Sequence, residues 1–168
     1  IGKNWIHEIM EPLLEDNEIM VSQSLLTYAE DDTLLIKYLN AAGVEDPFAI
    51  PYSLVSAVTL HPEKFILMNN TYYIHELQES RVLYGGANGC AYRKSVFQKI
   101  GGYQRDVDVF AKMAQWKMKV AIPKKAYIHH KTSADLWSLL IKKGKYFYNF
   151  INNEYQKKEY RWVGKSLE

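Results

Sequence analysis

The chain is poor in cysteine and proline, and it has no long apolar run. Cys90 is the single cysteine in 168 residues, which excludes an internal disulfide framework and a cysteine-cluster zinc site. A reducing, cytosolic setting is expected. Five prolines and nine glycines are too few for a collagen-like or low-complexity chain. Charges interrupt every longer apolar window, so no segment reads as a bilayer span. No secretory leader is expected either, since Lys3, Trp5 and Glu8 follow one another without an apolar stretch between them.

What is present is a hydrophobic fraction of 48% and a charged fraction of 24%, the balance of a chain that folds around a core. This length predicts one domain over residues 1–168, or a portion of a larger one. Charge is polarised along the chain. Residues 1–50 hold two basic side chains, Lys3 and Lys37, against ten acidic ones, whereas residues 124–165 hold ten Lys or Arg against Asp135, Glu154 and Glu159. The basic end is therefore expected to meet something anionic. The 13 tyrosines and 4 tryptophans suit a core, a carbohydrate-binding surface or a membrane interface alike.

Apolar periodicity predicts a helix over residues 4–14, with Trp5, Ile6, Ile9, Met10, Leu13 and Leu14 on one stripe and Pro12 weakening the last turn. It predicts a strand over residues 19–26 and a helix over 31–42. That helix is capped by Asp31 or Asp32, has Leu34, Leu35, Tyr38, Leu39 and Ala42 inward, and stops at Gly43. Residues 53–60 and 64–68 read as strands, with Asn69-Asn70 as a turn. A short strand from Val82 is expected to enter Gly85-Gly86-Ala87-Asn88-Gly89. Ser95 then caps a short helix that Gly101-Gly102 ends. A helix over 106–116 should bury Val107, Phe110, Ala111 and Ala114. Met118, Val120 and Ile122 alternate as a strand, and a long helix over 133–152 carries Leu136, Leu140, Lys143, Phe147 and Ile151 on one stripe.

Three features carry candidate chemistry. The turn at 85–89 fits neither phosphate-loop pattern and reads as a sharp bend or as a place where a ligand approaches backbone closely. Asp106 and Asp108 stand at a helix start, favourable to the helix dipole and also open to acid–base work. His129 and His130 end a strand; adjacent strand residues face opposite ways and rarely ligate one ion together.

Taken in order, the segment from Gly85 to Tyr103, with its Gly-Gly-Ala-Asn-Gly turn, Arg93 and Gly101-Gly102-Tyr103, closely resembles the middle of family-2 inverting glycosyltransferases. Arg105-Asp106-Val107-Asp108 holds the place of that family's acidic motif, usually Glu-Asp-x-Asp. Lys117–Pro123 resembles the strand after it, and His129-His130 the histidine site beyond. Asn4-Trp5-Ile6 and Glu11-Pro12-Leu13-Leu14 match the helix that follows the family's metal-binding Asp-x-Asp.

The resemblance implies an α/β fold: part of a Rossmann-like glycosyltransferase fold, a mixed sheet flanked by helices, lacking the N-terminal nucleotide-binding half. It implies glycosyl transfer from a nucleotide-sugar donor to a saccharide or lipid-linked acceptor hydroxyl, with inversion and Asp106 as general base. Gly86, Ala87, Asn88 and Gly89 would border the sugar, and Arg93, Asp108 and Lys145 would complete the substrate contacts. His129 or His130 would add a ligand to a divalent metal, Mg or Mn, that comes with the missing donor half. Two departures stand out. The Asp-x-Asp belongs just before Ile1, and Arg105 replaces the usual Glu, where it weakens Asp106 as a base, turns to solvent, or meets an anionic acceptor.

Lys142, Lys143 and Lys145 fall where the family carries cations near the phosphates, or they form a solvated helix face. A cytoplasmic protein is expected, or a peripheral one on the cytoplasmic membrane face. There Trp137, Lys142, Lys143, Lys145, Tyr146, Phe147, Tyr148 and Phe150 would lie at the lipid interface, unless they belong to a core helix with lysine edges. The competing readings are a non-catalytic partner or binding module derived from such an enzyme, and a basic nucleic-acid-binding domain. The last is disfavoured because no known binding module is present.

Overall fold

The computed structural model describes residues 2–45, 49–86, 89–103, 105–131, 135–149 and 152. Helix α1, Trp5–Glu15, packs on strand β1, Ile19–Gln23, which continues after Ser24 as β2, Leu25–Thr27. Helices α2, Leu34–Ala41, and α3, Leu54–Leu60, lead through a short 3-10 turn to the hairpin β3, Ile66–Met68, and β4, Tyr72–Glu76. Then follow β5, Cys90–Tyr92; α4, Lys94–Ile100; α5, Asp106–Gln115; β6, Lys119–Pro123; β7, Tyr127–His129; and α6, Leu136–Asn149.

The five-stranded sheet runs β3-β4-β6-β1-β5, with β1 and β6 parallel and the outer pairings antiparallel. This is the expected mixed sheet flanked by helices. Central β6 shows why its sequence is so apolar: Val120, Ala121 and Ile122 are all 0% exposed, as a strand covered on both faces requires. The predicted strand over 19–26 is really two. At Ser24 the ribbon leaves the main sheet, and β2 pairs in parallel with β7 as a second, two-stranded sheet. The amides of Ser24 and Leu25 donate to the carbonyls of Gly89 and Ala126 at 2.8 and 2.9 Å, so the fork is fully hydrogen-bonded.

Several expectations are corrected. Residues 53–60 form a helix, not a strand. Ser53 Oγ caps it by accepting from the Ser56 amide at 3.2 Å, and Leu54, Val55 and Val58 bury one face, which outweighs the strand preference of the two β-branched valines. Thr33, not Asp31 or Asp32, caps α2, and its inward residues are Ile36, Leu39 and Asn40 while Leu34 and Tyr38 stay exposed. The backbone of Arg93 holds the cap position of α4, with Ser95 inside the helix. In α1 the chain continues through Pro12 to Glu15, but only Ile9, Pro12 and Leu13 are buried, and Ile6 and Leu14 face out. Residues 82–84 make only an isolated bridge, Tyr84 to Ser53, rather than a strand. The Asn69-Asn70 turn stands as expected, both residues at positive φ.

The rotation of α5 matters most for the site. Phe110 and Ala114 are buried as expected, but the rest of the buried face is Val109 and Met113 rather than Val107 and Ala111. At 3.6 residues per turn this is a turn of about 80° about the helix axis, and it brings Asp106 onto the side facing the body of the protein. Phe110, 0% exposed, anchors this face in a cluster with Val21, Leu54, Val58, Leu77, Val96 and Val120.

Candidate functional site

The site is built where β1 ends, at the carboxyl edge of the parallel pair β1–β6, a common position for ligands in open α/β sheets. Gln23, 2% exposed, is its hub. Its Oε1 accepts from the Gly86 amide at 3.1 Å and lies 2.6 Å from Cys90 Sγ, while its Nε2 donates to the Ser24 carbonyl at 3.1 Å. A Cβ on Gly85 would stand 2.4 Å from Gln23 Oε1 and 2.6 Å from Phe110 Cζ, so only glycine fits there. Gly89 adopts φ +70°, and a Cβ there would meet the Ser24 side chain at 2.9 Å and Ile128 Cδ1 at 3.0 Å. The glycine turn is thus wedged between α5, through Phe110, and β7, through Ile128. Of the three features singled out by sequence, the glycine turn meets Gln23 and Ser24, and Asp106 shares a cleft with Gln23.

A cleft of about 190 Å³ opens beside this hub, lined by Gln23, Gly43, Val44, Glu45, Ser53, Tyr84, Gly85, Gly86, Asp106 and Lys143 among others. Asp106 sits in the first turn of α5, where its Oδ1 accepts a short hydrogen bond from the Tyr103 hydroxyl. That bond to Asp106, with burial, raises the Tyr103 phenol to about 12, so it stays a donor near neutral pH. Asp108 lies about 200° round the helix and does not line the cleft. Arg105 is exposed at the helix cap.

Cys90 is no nucleophile in this setting. Its sulfur turns inward onto Gln23 and, at 2.8 Å, the Gly86 carbonyl, although the residue as a whole keeps some exposure. Burial first, with the Asp106 charge adding, pushes the thiol up to about 12.

The histidines have separate partners. His129 Nε2 lies 2.7 Å from Asp32 Oδ2, which also accepts from the Ala29 amide at 2.7 Å, and Lys131 Nζ stands 3.4 Å from Asp32 Oδ1. Burial works to raise the Asp32 carboxyl, but the Ala29 amide, His129 and Lys131 together outweigh it and hold it below its ordinary value. His130 Nδ1 meets Glu45 Oε1 at 3.1 Å, and Glu45 lines the cleft. His129 and His130 therefore do not form a ligand pair. Among the described residues, no group of three or more His, Cys, Asp or Glu could hold a metal ion.

Other expected site residues are placed differently. Arg93 points away from the cleft: its guanidinium donates to the carbonyls of Leu13, Asp16 (3.1 Å) and Ile19 (2.8 Å), tying the end of α1 to β1. Lys143, not Lys145, reaches the cleft. Ala87 and Asn88 lie outside the described residues. Gln23, Asp32, Glu45 and Tyr103 were missed, and only Gly102-Tyr103 beside the acidic motif offered a local signal for any of them. A second depression, of about 310 Å³ between the start of α1 and Lys125–Tyr127, contains none of the predicted site residues.

Compared with known proteins, the chain matches no family model, no curated protein and no solved structure.

Proposed function

We propose that this chain is the acceptor-side portion of a nucleotide-sugar-dependent, inverting glycosyltransferase, its sheet the later part of a Rossmann-like fold. The observation that carries the reading is the meeting of Asp106, the Gly85-Gly86 backbone and Lys143 in one cleft at the end of β1. In the proposed step the acceptor hydroxyl gives its proton to Asp106. The acceptor oxygen forms a bond to the anomeric carbon, and the bond from that carbon to the diphosphate breaks on the opposite face. Tyr103 holds Oδ1 of Asp106 and leaves Oδ2 to take the proton. Gly85 and Gly86 allow backbone to approach the sugar, and the Lys143 ammonium offsets negative charge on the substrate. The cleft is smaller than the roughly 300–1,000 Å³ of complete small-molecule sites, as suits a pocket that takes the sugar while the nucleotide is held elsewhere. Among the described residues no group of three or more His, Cys, Asp or Glu could hold a metal ion, and no step is assigned to a divalent ion.

The test is turnover and donor affinity in a protein that joins this chain to a donor-binding half. Asp106→Asn should lower turnover by about 10²–10⁴ and leave donor affinity nearly unchanged, and Asp108→Asn should cost far less. Near-normal turnover in Asp106→Asn, with loss in Asp108→Asn, rules the assignment out.

A further inference from the structure

The longest described helix keeps its apolar side outward. Placed at 3.6 residues per turn, Leu136, Phe147, Leu140, Trp137, Tyr148 and Ile141 of α6 fall within one arc of about 140°. All six are exposed, from 47% for Ile141 to 71% for Trp137. The opposite side attaches to the protein through Leu139, 3% exposed, which packs with Leu39, Ala42 and Val44. Lysines border the arc on both sides, Lys145 next to Ile141 and Lys143 next to Leu136, with Lys142 behind, and residues 136–149 contain no acidic side chain. Leu136, Leu140 and Phe147 of the predicted stripe face solvent, which goes against the alternative of a core helix with lysine edges.

We propose that α6 docks the protein on a bilayer surface with anionic headgroups, its outward arc lying in the interfacial layer. The proposal is independent of the glycosyl-transfer reading. Trp137 and Tyr148 carry the amphipathic rings that settle at headgroup depth, and Leu136, Leu140, Ile141 and Phe147 supply the part that enters the acyl boundary. The Lys145 stem runs along the edge of the apolar arc, from which its ammonium group can reach the headgroups, while Lys142 and Lys143 stand over the Tyr146 ring on the other side and add positive charge behind the arc. The arc points away from the body along the whole helix, about 20 Å long, so a flat surface can meet all of it at once. Among the described residues no helix is long and apolar enough to cross a membrane, and α6 is suited to lie on one. A second copy is the poorer occupant, because it would set one lysine-edged face against another.

The test is sedimentation of the chain with vesicles of phosphatidylcholine alone and of phosphatidylcholine mixed with phosphatidylglycerol, at low and high salt. Each lysine near an anionic surface contributes about a five-fold gain in partitioning. The mixed vesicles should therefore bind at least about tenfold better, and added salt should weaken that binding. Trp137→Ser with Phe147→Ser should abolish binding. Lys142→Glu with Lys145→Glu should reduce it by about tenfold or more. Trp137, Lys145 and Phe147 are exposed and Lys142 is half-buried, and far-UV circular dichroism checks that the helix persists. Absence of binding to the mixed vesicles, or binding that neither double variant changes, overturns the proposal. Self-association that Trp137→Ser with Phe147→Ser removes, without vesicle binding, assigns the arc to a second copy and overturns it equally.

Discussion

Replacing Gly85 by alanine tests the architecture of the cleft directly. The added Cβ would lie 2.4 Å from Gln23 Oε1 and 2.6 Å from Phe110 Cζ, and neither neighbour can withdraw, since they are 2% and 0% exposed. Overpacking of this kind costs about 1–3 kcal/mol. Moving the Gln23 carbonyl also strips the Gly86 amide of its 3.1 Å bond, for about 1 kcal/mol more. The sum, about 2–4 kcal/mol, corresponds to a fall in Tm of about 5–15 °C for a domain of this size. Thermal unfolding of Gly85→Ala, Phe110→Leu and the double variant separates clash from other causes. Phe110→Leu frees space at the ring tip, so the double variant should be more stable than additivity predicts by at least about 1 kcal/mol. A Tm within about 2 °C of the parent for Gly85→Ala, or strict additivity in the cycle, refutes the close approach.

Three further outcomes follow from the ionisable groups. With its thiol at about 12 rather than 9.0, Cys90 should carry about a thousand-fold less thiolate at mildly alkaline pH, so iodoacetamide labelling should be correspondingly slow until the protein is unfolded; fast native labelling would contradict its inward placement. In the same range the unfolded thiol loses its proton and the folded one keeps it, so stability should fall as pH rises from 9.0 towards 12, by about 1.4 kcal/mol per pH unit for this group, which urea unfolding at stepped pH measures. Asp32 behaves in the opposite sense. Its folded pKa lies below 3.8, so its contribution is present above that value and lost as pH falls through the folded pKa. Asp32→Asn should lower Tm at neutral pH, and the gap to the parent should close in acid.

Much of the fold was legible because its signals are local. The glycine turn, the start of α5 at Asp106, the apolar run of β6 and the Asn69-Asn70 turn each depend on residues a few positions apart. The misreadings share a cause in distant contacts. Leu54-Val55-Ser56-Ala57-Val58 looks extended, and the partners that hold it as a helix, the Tyr84 carbonyl on the Leu54 amide and the core around Phe110, lie far along the chain. The break at Ser24 is set by carbonyls of Gly89 and Ala126, far along the chain. Val107 and Ala111 are as apolar as Val109 and Met113, so composition alone does not fix which face of α5 turns inward. The candidate site divides likewise. Asp106 and the glycines carry a recognisable pattern, whereas Gln23 is defined by partners 63 and 67 residues away and Asp32 by His129, 97 residues on. Glutamines and aspartates are common on surfaces, and nothing beside these two in sequence announces their burial.

The contacts of Arg93 bear on the order of events in time. Its guanidinium satisfies carbonyls at the end of α1 and the start of β1 that lie 74, 77 and 80 residues earlier. Helix α1 has only 11 residues, too few to hold together alone in water, and its final turn contains no basic side chain of its own. On a growing polypeptide α1 therefore stays unfinished until Arg93 has emerged and β5 has paired with β1. A nascent chain cut before residue 93 should show α1 fraying from its C-terminal end, however completely the preceding residues have been synthesised.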